Sequence, residues 1–97
     1  MYVILTSKPG QFRTELVAGM QAIEAYDYLF CGRKRAHFVI AALEGEVRIR
    51  IVEEGVRPVV NDVPSKFLPH FATLEAARAE LRQLAGNGAV DVALVGV

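Results

Sequence analysis

Apolar residues in this chain fall into short β-rich runs broken by turn-forming residues, with a helical spacing in one stretch near each end. Tyr2 to Thr6, "YVILT", is β-branched and stops at "SKPG", where Pro9 and Gly10 supply breaking chemistry; it predicts the first strand. From Thr14 to Cys31 the pattern is mixed. Leu16, Met20, Ile23 and Phe30 recur at helical spacing, Gln21, Glu24 and Asp27 lie on another side, and Gly32 stands where a helix end needs it, so a helix is expected. Gly19 and the aromatic alternation of "YDYLF" argue instead for strand.

Ala36 to Leu43 and Val47 to Val52 are two further β-rich runs, separated by Glu44-Gly45 with glycine at the second loop position of a tight hairpin turn. In that register Phe38 faces Ile51, Ile40 faces Ile49 and Ala42 faces Val47, which gives one wholly apolar face. The other face sets His37, Val39, Ala41 and Leu43 opposite Val52, Arg50, Arg48 and Glu46, half apolar and half charged. From Gly55 to Phe71, Pro58, Pro64 and Pro69 with Asn61 and Asp62 predict a long irregular connection. Thr73 then caps a helix, with Glu75 in its first turn, Leu74, Ala77, Leu81 and Leu84 as its inner stripe, and Gly86 after its end. Ala89 to Val97, with Asp91 its one charged member, predicts a strand buried on both faces.

Strand, helix, strand, strand, helix, strand is the order of a βαββαβ ferredoxin-like fold: an α+β two-layer sandwich, helices on one face of an antiparallel sheet. The alternative is a β-meander covered by one C-terminal helix. With 97 residues the chain is expected to form a single domain with a modest core, which self-association would supplement.

Eleven basic and eleven acidic residues cancel, so no net field draws in nucleic acid or anionic lipid. No apolar run reaches the ~18 residues of a membrane span. Cys31 is the single cysteine and no charged-then-apolar leader opens the chain, which reads as cytoplasmic.

Candidate chemistry is sparse. In "CGRKRAH" a thiol near cations could be a nucleophile with His37 as base, but no third group to orient the histidine is identifiable. Arg33, Lys34 and Arg35 could clamp an oxyanion, or simply keep a turn solvated. Cys31, His37 and His70 have no metal-ligand spacing, and no motif specifies a cofactor. His70, between Pro69 and Phe71, is a candidate base or ligand contact. What stands out is a surface: His37, Val39 and Leu43, with Arg48 and Arg50 beside them, on the sheet face left open by the two-helix arrangement. An apolar stripe of this kind is usually covered, and a second copy related by two-fold symmetry is the expected cover.

Two functions follow. One is a small self-associating binding or accessory protein that regulates or scaffolds a larger partner. The other is a small enzyme acting on an apolar small molecule, with His37, His70 or an arginine polarising a carbonyl. The element order is similar to that of dimeric α+β barrels such as small monooxygenases and lactone isomerases, a likeness of fold carried by no residue motif.

Overall fold

The structure, a computed structural model, describes residues 1–86 and 92–97. Among them the strands are β1 (Tyr2–Ser7), β2 (Phe12–Glu15), β3 (Met20–Phe30), β4 (Arg33–Leu43), β5 (Arg48–Glu53), β6 (Val59–Pro64) and β7 (Val92–Gly96), and the α-helix is α1 (Leu74–Leu84). The strands form two antiparallel sheets, one ordered β1-β4-β3-β7 and the other β2-β5-β6.

The ferredoxin-like expectation is overturned at Thr14–Cys31, which forms β2, a turn and the eleven-residue β3 instead of a helix. Local chemistry explains it. Gly19 sits at φ 89°, a left-handed value that breaks a helix, and the Tyr26–Phe30 alternation satisfies a strand. The meander alternative has a single covered sheet, whereas this chain divides its strands between two.

The β4–β5 hairpin also does not form. β4 pairs with β1 and β3, so Ile40 lies opposite Ile4 and Glu24 instead of Ile49, and Glu44–Val47 carries the chain from one sheet to the other. The reason is that β4 is apolar on both faces. Ala36, Phe38 and Ile40 pack against Ala77 and Leu81 of α1, while Ala41 and Leu43, with Val39 beside them, pack against Ile49 of β5. A strand of this kind needs cover on both sides, and a central position between a helix layer and a sheet layer supplies it. Buried Ser65 holds the crossover: its Oγ accepts the Val47 N–H at 3.0 Å, and its own N–H donates to the Val47 carbonyl at 2.8 Å.

Gly55–Phe71 is more regular than its prolines suggest. It contains β6 and a 3₁₀ turn at Ser65–Phe67, with Asn61 and Asp62 inside the strand. Pro64 is tolerated there because β6 is the edge of its sheet. The cap on α1 is as its sequence predicts, with Thr73 Oγ1 accepting the Ala76 N–H at 3.1 Å. Arg78 fixes the helix on the sheet: Nε donates to Glu24 Oε1 at 2.9 Å, and Nη2 pairs with Glu24 Oε2. That guanidinium and the Tyr26 hydroxyl, which donates at 2.8 Å, hold the Glu24 pKa down at about 2. The C-terminal strand is an edge beside β3, not a covered strand, and its Val95 is 45% exposed. Ala89, Val90 and Asp91 of its expected range lie outside the described residues. Among the described residues no helix is long and apolar enough to cross a membrane.

Candidate functional site

The cationic stretch after Cys31 begins at the tip of the β3–β4 hairpin. Phe30 pairs with Arg33, which leaves Cys31 and Gly32 as a two-residue loop at φ 50° and 76°. Two positive φ values are what a type I′ turn requires, so Gly32 serves the turn and not a helix end. Four residues on, the register slips: Tyr28 pairs with Ala36 but Leu29 with Lys34, so Arg35 is the extra residue of a bulge. Simple alternation from His37 would send Lys34 toward α1 and Arg35 to the opposite face. The bulge exchanges them.

On the face turned away from α1, Lys34 Nζ lies 3.2 Å from Asp27 Oδ1, and His37 Nδ1 lies 2.8 Å from the same oxygen. The imidazole, then the ammonium, hold the Asp27 pKa below the ordinary carboxylate value. An ionised carboxylate only accepts, so Nδ1 carries the proton of the histidine. Asp27 is thus the orienting group for His37 that the sequence did not reveal.

On the α1 face, Arg35 and Lys8 line a groove of about 490 Å³. Ala36, Phe38, Tyr28 and Leu84 give it apolar walls, and Thr6 and Gln11 add polar ones. Tyr28 and Phe38 meet edge to face with centroids 6.3 Å apart and planes at 71°. Among the described residues no carboxylate lines the groove, and neither Lys8 nor Arg35 forms an ion pair. Two cations sharing a groove with aromatic and aliphatic side chains suit a ligand with an anionic head and an apolar body.

The other expected residues are dispersed. Val39 and Leu43 belong to the core between the sheets, so the stripe assigned to a second copy is covered by the chain's own β5. Arg48 and Arg50 are exposed on β5, and Arg50 Nε is 3.7 Å from Asp62 Oδ1, its cross-strand partner. Arg33 and Cys31 are exposed at the hairpin tip. His70 is exposed on a cleft of about 510 Å³ with Met1, Glu44, Glu46 and Lys66, near the opposite end of β4. Among the described residues no three His, Cys, Asp or Glu side chains are grouped to hold a metal. The cavity between the sheets, about 140 Å³, is lined mainly by apolar side chains such as Leu5, Ile49, Ile51 and Leu68.

Sequence reading missed Lys8, which lies in "SKPGQ", and Asp27, which lies in "YDYLF". The available signal was the strand alternation around Asp27, which puts it on the face opposite Tyr26 and Tyr28. No family model, curated protein or solved structure matches the chain.

Proposed function

We propose that this chain is a small cytoplasmic binding module that takes an amphiphilic anion, an aryl or acyl carboxylate, in the groove between α1 and the β3–β4 hairpin. The observation that carries this reading is that Lys8 and Arg35 line one groove with Tyr28, Phe38 and Leu84, with no carboxylate among the described lining residues. A carboxylate bridging the two cations gains charge-assisted hydrogen bonds, and the body of the ligand covers apolar wall. The single, exposed cysteine accords with a reducing compartment. The likeness to monooxygenase and isomerase barrels no longer supports an enzymatic reading, because the fold that carried it does not form.

Thermal melting with naphthoate and decanoate tests the binding. At a hundredfold excess over Kd the gain is about 2.7 kcal/mol. For a domain of this size that raises Tm by roughly 10–20 °C. A flat response, or an equal response in a Lys8→Met, Arg35→Met variant, would contradict the reading.

Self-association is retained on a different surface. β6 is the edge of its sheet, and Val59 and Val60 on it are 48% and 56% exposed. An open edge with apolar side chains is a template for pairing with the same strand of a second copy. Sedimentation should show a dimer that Val60→Lys dissociates; a monomer at all concentrations removes this part.

A further inference from the structure

Three adjacent strands place Ser7, His37 and Asp27 in a row. Ser7 is the cross-strand partner of His37 between β1 and β4, and Asp27 is the partner of His37 between β3 and β4. Directly opposed residues of an antiparallel pair point to the same face with Cβ atoms about 4.5–5.5 Å apart, so the imidazole stands between a hydroxyl and a carboxylate. His37 Nδ1 donates to Asp27 Oδ1 at 2.8 Å. With Nδ1 engaged by Asp27 of β3, Nε2 is the nitrogen left for another partner, and Ser7 is the residue beside His37 on β1. All three residues are half-buried, accessible to a small molecule.

Ser7 is itself conditioned. Its Oγ accepts the Thr14 N–H of β2 at 2.9 Å, and a donor at that oxygen favours the alkoxide over the alcohol. Lys34 Nζ, 3.2 Å from Asp27 Oδ1, helps keep the carboxylate ionised. The structure records no hydrogen bond between Ser7 Oγ and His37 Nε2; such contacts are often long without substrate and tighten when it binds.

We infer that Ser7, His37 and Asp27 form an acyl-transfer site, with Ser7 as nucleophile, His37 as general base and Asp27 as the group that orients the imidazole, acting on small activated esters. Ser7 Oγ adds to the ester carbonyl as its proton passes to Nε2. The adduct collapses to an acyl-serine, the bond to the leaving oxygen breaks, and the imidazolium returns the proton to that oxygen. Water then attacks the acyl-serine, giving its proton to Nε2, and the carboxylic acid departs as Ser7 recovers its hydroxyl. Aryl esters fit because a phenolate leaves readily, which lessens the demand for stabilising the oxyanion. The row and the groove occupy opposite faces of the sheet, so each stands or falls without the other.

The test uses the full chain carrying Cys31→Ala, so that the exposed thiol cannot react. A fluorophosphonate probe and p-nitrophenyl acetate are applied, with intact-mass and peptide mapping. Label on Ser7, a burst of nitrophenolate, and a fall of about a hundredfold in both with His37→Gln are expected. Asp27→Asn should lower the rate at least about tenfold, because it removes the group that fixes the histidine tautomer. Ser7→Ala loses the acceptor for the Thr14 N–H, so Ser7→Cys serves as a second variant: its thiol should be alkylated by iodoacetamide faster than a free cysteine, and His37→Gln should abolish that excess. Label on another residue, no label, or labelling and alkylation indifferent to His37→Gln would overturn the inference.

Discussion

Lys34 and Arg35 are neighbours of like charge, yet they come to opposite ends. Lys34 is bound to the Asp27 carboxylate beside His37, while Arg35 lines a groove with no counter-charge among its described lining residues. The difference comes from one extra residue in a strand, because the bulge at Arg35 inverts which face each side chain takes. A cation satisfied inside the fold is part of the structure, and one left over a cleft is available to a ligand. In a run such as Arg33-Lys34-Arg35, register decides between the two.

The comparison can be broken most severely by removing the layer that makes one wall of the groove. Leu81, on the inner face of α1, is 1% exposed, so Leu81→Ala should cost about 2–5 kcal/mol in urea unfolding and abolish naphthoate binding with it. Ile49→Ala, which opens the core between the sheets, should cost a similar amount and leave binding by the remaining folded protein unchanged.

A second pair of variants separates the cations themselves. Lys8→Met with Arg35→Met should weaken naphthoate at least about tenfold, the equivalent of one charge-assisted hydrogen bond, while Lys34→Met should leave the Kd within about twofold. Equal losses from the two would erase the distinction. Acid sharpens the comparison at the anchor of the helix. Glu24 has its pKa lowered from 4.5 to about 2, so its contribution is fully present above 4.5, declines as pH falls below that value and is gone below about 2. Asp27, also lowered, declines in the same direction. Arg78→Met should remove the Glu24 part of that acid dependence in melting curves, while Lys34→Met should diminish the Asp27 part. The smallest effect belongs to the tip: Cys31→Asn, placing asparagine at φ 50°, should stabilise the protein by about 0.5–1 kcal/mol.

How much of this was legible differs by element. Tyr2 to Thr6 and the capped helix after Thr73 were readable because their determinants are local: β-branched side chains, a capping hydroxyl, an apolar stripe. The helical spacing of Leu16, Met20 and Ile23 misled because it does not define a buried face. Leu16 is 48% exposed and Ile23, the extra residue of a second bulge, is 39% exposed. Pairing of Ala36–Leu43 with Val47–Val52 satisfied one face of each run, but it could not see that β4 needs cover on two, which is decided by β1, β3, β5 and α1 together. At the site, Arg35 and His37 were legible as chemistry. Lys8, Ser7 and Asp27 were not, because only cross-strand register brings residues so far apart in sequence to one end of a sheet.

The most direct measurement is an amide chemical-shift titration of the whole protein with naphthoate. Saturable changes at Thr6, Lys8, Tyr28, Arg35 and Leu84, with Asp27 and Lys34 little moved, are the predicted outcome. Changes centred on Met1, Glu46 and His70, or none at millimolar ligand, would contradict the assignment of the binding face.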